Sequence, residues 1–230
     1  MRLTSNGGRI VVFAKAPQPG RVKTRLIPLL GAGGAALLHA RLVEHTLATA
    51  RASAPGALEL HGAPADDDLQ RCADRYHARL VEQAAGDLGE RMRHAFERVL
   101  ETSSYAILIG TDCPALRPSH LREAALALEK GQDAVLTPVE DGGYALIGLR
   151  RSDARLFDGI EWGTDVVMAA TRTRLHALGW LWAELETLWD VDRPADYQRL
   201  MTSGLMDTED LPRNTTEPAL SDQSPLKTSG

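Results

Sequence analysis

At 230 residues and 25.0 kDa, with 43% apolar and 25% charged residues, the chain can fill one sizeable core; this composition excludes disorder throughout and does not require two domains. The net charge of −5 is unevenly spread: Arg2, Arg9, Lys15, Arg21, Lys23, Arg25 and Arg41 all precede the first acid, Glu44, leaving 19 of the 26 basic residues against all 31 acids afterwards, a balance of −12. An acidic body argues against a nucleic-acid surface, no window approaches the roughly 20 apolar residues of a membrane span, and the first residues lack an apolar leader, so a cytoplasmic protein with no nucleic-acid and no membrane partner is expected.

Taken in chain order, Arg9 to Ala14 is a short β-branched run that stops at the Pro/Gly stretch Ala16 to Gly20, which predicts a buried strand feeding a loop. Leu37, Leu38, Leu42, Val43 and Leu47 recur at helical spacing, predicting a helix from Gly34 to about Ala52. Leu58 to Leu60 is a short strand candidate, and Asp66, Asp67 and Asp68 supply the cap and first-turn carboxylates of a helix. The stretch Gln83 to Met92 leads into a helix through Phe96, Val99 and Leu100. Tyr105 to Gly110 is the clearest buried strand, followed by a helix from Pro118 to Gly131 and a strand from Asp133 to Pro138. The turn Glu140 to Gly143 opens the last predicted strand, Tyr144 to Leu149, and a short helix carries Tyr197 and Leu200. This alternation predicts an α/β fold with a mostly parallel sheet covered on both faces. Residues 1–203 are expected to form one domain, and the Pro-, Ser- and acid-rich stretch 204–230 a disordered or loosely packed tail.

Three segments carry chemistry. The first, Lys15 to Arg25, empties four cations into the loop after a strand, where open α/β sheets bind ligands; it suits a phosphate chain, or else forms a solvated basic edge. It is no P-loop, because Val22 precedes Lys23-Thr24 where glycine is required, and Gly31 to Gly34 lacks dinucleotide-fingerprint spacing and reads as a helix-entry turn. The second is Gly110-Thr111-Asp112, a carboxylate at a strand end that can hold Mg²⁺ or Mn²⁺ against phosphates or simply cap the turn before Pro114. Asp190 and Asp192 in Trp189 to Pro194 offer further carboxylates. The third is Glu140 to Tyr144, which is also a sufficient hairpin turn without any other role. Cys72 and Cys113 make no metal or disulfide spacing, the seven histidines form no metal motif, and no G-x-S-x-G occurs. The sequon Asn214-Thr215-Thr216 is read as a chance match.

Phe13-Ala14-Lys15-Ala16-Pro17-x-Pro19-Gly20-x-Val22-Lys23-Thr24-Arg25-Leu26, Gly110-Thr111-Asp112-Cys113-Pro114-x-Leu116, Glu140-Asp141-Gly142-Gly143-Tyr144-x-Leu146-Ile147-Gly148-Leu149 and Trp162-Gly163-Thr164 form an ordered set over about residues 9–200. In it the chain resembles the DUF2064 family, a branch of the nucleotide-diphospho-sugar transferase superfamily related to phospholactate guanylyltransferases. The resemblance implies a GT-A-like three-layer sandwich in a single domain. It implies that Lys15, Gly20, Arg21, Lys23 and Arg25 lie along nucleotide phosphates, and that Asp112, with Asp192, holds Mg²⁺ or Mn²⁺. Asp141, Gly142, Gly143, Tyr144, Trp162 and Thr164 would then line the acceptor side. Lys23, Asp112 and Asp141 are the expected catalytic residues, with Asp165 an alternative base to Asp141. Prolines 17 and 19 stand where the superfamily's nucleotidyltransferases usually have a glycine-rich loop. The implied activity is glycosyl transfer from an NDP-sugar to a small-molecule acceptor. The alternatives are nucleotidyl transfer from an NTP to a phosphorylated small molecule with release of pyrophosphate, and a non-catalytic nucleotide-binding module.

Overall fold

Apolar runs rich in β-branched residues become strands, and the polar, capped segments between them become helices. The computed structural model describes residues 7–53 and 57–213. The strands are β1 (Arg9–Lys15), β2 (Ala57–Ala63), β3 (Arg79–Glu82), β4 (Ala106–Ile109), β5 (Ala134–Pro138), β6 (Tyr144–Leu149) and β7 (Trp182–Glu184), in the order β3-β2-β1-β4-β6-β5-β7. β6 runs antiparallel to β4 and β5, and the other four pairings are parallel. Among the described residues there are six α-helices, α1 (Ile27–Ser53), α2 (Asp67–Arg75), α3 (Leu88–Leu100), α4 (Pro118–Glu129), α5 (Val167–Ala177) and α6 (Pro194–Ser203), of which α6 packs on α1 rather than on the sheet.

Side chains alternate across each strand, so the buried central strands feed two cores. Ile10, Val12, Ile107 and Ile109 meet α1, α2 and α4 through Val43, Leu47, Leu69, Leu121 and Leu128. Val11, Phe13 and Leu108 face the opposite way, onto α3 and α5 through Met92, Phe96, Val99, Met168 and Leu175. The result is the expected α/β three-layer sandwich with a mostly parallel sheet. Local chemistry sets the helix starts: Asp66 accepts from the Leu69 backbone N–H at 3.0 Å, and Asp87 and Glu90 form a reciprocal capping box at the head of α3.

Several expectations need correction. β3 and β7 were not predicted as strands and β6 is not the last; β7 adds to β5 through Ala134, Val135 and Leu136. α1 starts ahead of Gly34, with Gly31 (φ 68°, ψ 166°) breaking it, which agrees with a helix-entry turn there. Contrary to the absence of any span, Thr24–Ser53 is long and apolar enough, by length and composition, to cross a membrane. In the fold it is a kinked core helix whose Leu38, Leu42 and Leu47 are fully buried. Of the expected tail, 204–213 packs on the domain: Leu211 is buried beside Leu26, Leu30 and Leu200, and the Tyr197 hydroxyl donates to the Pro212 carbonyl. The remainder of that stretch, with the sequon, lies outside the described residues.

Candidate active site

Because β1, β3 and β4 end at the same edge, the loops that follow them converge, and a cleft opens there. It has three joined lobes. A cationic lobe of about 440 Å³ is lined by Lys15, Arg21, Lys23, Arg25, Arg91 and Gln83 among others. An apolar lobe of about 300 Å³ lies between Phe13, Met92, Leu108, Tyr144, Trp162 and Val167. A mouth of about 510 Å³ is bordered by Glu140, Asp141, Asp165, Asp190 and Asp192. Asp112 lines both of the first two lobes, and Asp141 and Asp190 line both the apolar lobe and the mouth. A further hollow of about 320 Å³ between α1 and α2 lies away from the strand ends, and its charged residues are already paired, Arg75 with Glu44 and Arg71 with Asp68.

Asp112 follows β4, and its carboxylate is 53% exposed to the cleft. Lys23 reaches it from below: its side chain is only 4% exposed, and its Nζ lies 2.6 Å from Asp112 Oδ1 and donates to the Val191 carbonyl at 2.5 Å. The Val191 N–H in turn donates to the Asp112 carbonyl at 2.8 Å. These three contacts tie the N-terminal loop, the end of β4 and the segment before α6 into one post. Lys23 holds a left-handed backbone (φ 47°, ψ 42°), which is uncommon outside glycine and marks a position that its surroundings fix. The protein mass around the cleft works to raise the Asp112 carboxyl; the charges of Lys23, His39 and Lys15 outweigh it and hold it below the usual aspartate value.

Val191 points into the core, while Asp190 and Asp192 on either side of it reach the cleft. Asp192 is ion-paired with Arg25. Asp190 is pushed up to about 6 by burial and by the charges of Asp141 and Asp112. The carboxylate that shares the field of Asp112 is therefore Asp190, which the resemblance had not singled out, whereas Asp192 comes with a cation already attached. Among the described residues there is no group of three or more His, Cys, Asp or Glu side chains arranged to hold a metal without rearrangement.

The remaining candidates divide. Lys15 and Arg21 are exposed and line the cationic lobe. Gly20 sits on the preceding turn at φ 80° with open space where a Cβ would stand, so glycine serves the turn conformation and does not line the lobe. Asp141 accepts from the Gly143 N–H at 2.9 Å. Gly143, Tyr144, Trp162 and Thr164 line the apolar lobe, but Gly142 does not. Gly142 has φ 90°, and a Cβ there would lie 2.2 Å from the Asp165 carbonyl oxygen, so its glycine lets the β5–β6 turn dock against the segment that starts α5. The Met168 N–H completes that contact at 2.8 Å to the Gly142 carbonyl.

Gln83, Leu88, Arg91 and Met92 line the cleft although no role had been assigned to them. Gln83 donates its amide N–H groups to the Ala14 and His61 carbonyls at 3.2 and 2.8 Å. His39 also borders the cationic lobe; it contacts the Lys15 carbonyl at 2.9 Å, and burial lowers its pKa. The signal available for the first four was their place after β3 combined with the Asp87/Glu90 capping box, which puts a helix N-terminus at the strand-end side of the sheet.

The sequence profile of the family described as "Uncharacterized protein conserved in bacteria (DUF2064)" matches residues 46–164. A proposed nucleotide-diphospho-sugar transferase of Desulfovibrio desulfuricans G20 is similar over 87% of this chain and 88% of its own, with 31% identity and a TM-score of 0.78. CMP:2-keto-3-deoxy-manno-octonic acid synthetase, complexed with CTP, shares the fold at 12% identity and a TM-score of 0.55, covering 84% of this chain and 96% of that one. Glucosyl-3-phosphoglycerate synthase of Mycobacterium tuberculosis, in complex with Mn²⁺, UDP and glucosyl-3-phosphoglycerate, shares it at 13% identity and 0.53, covering 87% and 77%. No curated protein matches the sequence. The profile match over half of the chain, together with the near-complete overlap at 31% identity, shows that this chain belongs to the DUF2064 family and is built on the fold of the nucleotide-diphospho-sugar transferases.

Proposed function

We propose that the chain is a transferase of the nucleotide-diphospho-sugar transferase superfamily that uses a divalent metal to pass a glycosyl group from an NDP-sugar to a small acceptor. The observation that carries this reading is the joining of a cationic lobe to an apolar lobe at one carboxylate, Asp112. The carboxylates of Asp112 and Asp190, which line the same lobe, are the hard oxygen donors that Mg²⁺ or Mn²⁺ prefers, and as a pair they leave the rest of the ion's shell to substrate phosphates and water. Mn²⁺ and UDP occur together in the M. tuberculosis synthase of the same fold. In this assignment Asp112 is the principal metal ligand, with Asp190 or, on release from Arg25, Asp192 as the second. The bound cation supplies positive charge to the diphosphate that departs.

Lys15, Arg21 and Arg91 take the phosphate oxygens, with Arg25 contributing once Asp192 lets it go. Lys23 acts as a positioning residue, since its ammonium is spent on Asp112 and Val191. Asp141, at the boundary of the apolar lobe and the mouth, takes the acceptor's proton. The domain with this activity extends to about residue 213, where Leu211 is packed.

Nucleotidyl transfer drew its support from four cations in one loop, a density suited to a triphosphate. Two of the four, Lys23 and Arg25, are held by acids, so the loop itself presents Lys15 and Arg21 as its free cations and the density that argued for a triphosphate is halved there. The deciding experiment compares thermal shifts with NDP-sugars, NDPs and NTPs, in Mg²⁺ or Mn²⁺ and then in EDTA. A ligand at 100 times its Kd adds about 2.7 kcal/mol, which raises the midpoint by several degrees. A metal-dependent shift with one NDP-sugar beyond its NDP supports the proposal. Preference for an NTP replaces it with nucleotidyl transfer, and the absence of any nucleotide shift overturns both.

A further inference from the structure

The apolar lobe is closed by Phe13, Met92, Leu108, Tyr144, Trp162 and Val167, and its charged members are Asp112, Asp141 and Asp190. None of its described lining residues is Lys, Arg or His. The nearest buried cation, Lys23, is already engaged by Asp112 and the Val191 carbonyl. Trp162 is a fixed wall: α3 begins so close to it that a Cβ on Gly89 would stand 2.6 Å from Trp162 Nε1. At the lip, Leu88 is 43% exposed, an apolar side chain turned toward both lobes. With Asp112 and Asp190 turned to the metal and the donor diphosphate, the side-chain charge left to face an acceptor is that of Asp141, and no lining Lys, Arg or His offers a partner to a phosphate or carboxylate, whereas an apolar body would cover Leu88 and the aromatic walls.

We infer that the acceptor is a small hydroxyl compound with an apolar body and no negative charge. The inference rests on the transferase reading and sharpens it by excluding phosphorylated and carboxylated acceptors. The acceptor oxygen forms a bond to the anomeric carbon with its own lone pair. The bond from that carbon to the β-phosphate oxygen breaks, its electron pair leaving with the NDP, and the hydroxyl proton passes to Asp141.

The test follows NDP release by the full-length protein with Mn²⁺ and the NDP-sugar that gives the largest thermal shift. Release to water alone reports the donor half of the reaction. Against that rate, 2-phenylethanol should accelerate release by about tenfold or more, the scale of discrimination an apolar pocket supplies, while glycerol 3-phosphate should not. Acceleration by glycerol 3-phosphate and not by 2-phenylethanol overturns the inference. If no NDP is released under any condition, the transferase reading has failed, and the lobe is judged by saturation-transfer NMR with the same two probes. Contact signals from 2-phenylethanol, lost in Leu88→Arg and absent for glycerol 3-phosphate, uphold it; equal signals, or signals from the phosphate alone, defeat it. Leu88 is exposed, so this variant should keep the wild-type melting curve, and the comparison of probes on the unmodified protein stands without it.

Discussion

The cationic and apolar lobes are neighbours with opposite chemistry, and the post of Lys23, Asp112 and Val191 divides them. Every Lys or Arg that lines the first lobe comes from the last residue of β1, the stretch that follows it or α3, and its surface attracts anions. The second is built from the β5–β6 turn, the 162–167 segment and the inner side of α3, and it offers carboxylates and rings. The difference teaches that one cleft can carry two selectivities: on the transferase reading proposed above, a donor's phosphates and an acceptor's body would be sorted by charge before any chemistry takes place. A single carboxylate at the boundary then belongs to both sides.

Removing that boundary should have the largest effect. Asp112→Ala is expected to lower turnover by a factor on the order of 10³. It should also destabilise the fold by about 3 kcal/mol, because the buried Lys23 ammonium loses its counter-charge. An assay of NDP release checks the first part and a melting curve the second; in calorimetry with nucleotide and Mn²⁺, metal-dependent affinity equal to wild type would take Asp112 out of the site. Gly142→Ala comes next, at about 3 kcal/mol or somewhat less, since it forces a Cβ onto the Asp165 backbone in a left-handed conformation. It should damage the apolar side while leaving nucleotide affinity near wild type; an equal loss on both sides would show that the lobes are not independent.

Lys15→Ala sharpens the comparison more gently. It should weaken NDP binding about tenfold, or roughly 1.4 kcal/mol, and leave 2-phenylethanol contacts unchanged, as titration of both ligands would reveal. The smallest effect concerns the wall behind the cationic lobe, where Phe13 stacks on His61 at 5.4 Å and His61 contacts the buried Glu59 at 2.9 Å. Burial lowers the pKa of His61 even against the pull of Glu59, so above pH 6.5 both folded and unfolded chains carry it neutral. As pH falls below 6.5 the unfolded chain takes the proton first and stability declines. Glu59 behaves as a depressed acid: its burial is outweighed by His61 and Arg98, which bring it to about 2, so its contribution is full above 4.5 and fades from there down to about 2. Chemical denaturation across pH 7 to 3 should therefore show an early loss that His61→Gln flattens in part, His39 and His45 also being lowered by burial. An unchanged early slope in that variant would refute the assignment.

Much of the fold was legible because its signals are local and repeated. The run Tyr105 to Gly110 and the Asp66 cap predicted their elements from neighbouring residues alone. β3, with Arg79 and Glu82 at its ends, and the three-residue β7 carry no such pattern; they are strands because β2 and β5 offer free edges. In α1 the spacing placed Leu37 with Leu38 and Leu42, yet Leu37 is 45% exposed, since a run of adjacent apolar residues cannot say which face meets the sheet. At the site, Asp112 and the basic loop could be read from their position after strands. The engagement of Lys23 and Arg25 could not, because their partners lie far along the chain and charge type says nothing about distance. Asp190 was named beside Asp192, but the choice between them could not be made for the same reason: its raised pKa is set by burial and by Asp141 and Asp112, which no spacing brings beside it.

The post has a consequence for synthesis. Lys23 and Val191 are 168 residues apart, and Arg25 and Asp192 are 167. At about 5–20 residues per second a ribosome spends many seconds between the two ends of each contact. During that interval Arg25 is without Asp192 and the Lys23 ammonium without the Val191 carbonyl, although Asp112 is made midway. A nascent chain shorter than about 190 residues thus lacks Val191 and Asp192, and the cationic lobe gains its full lining only when the segment before α6 has been made.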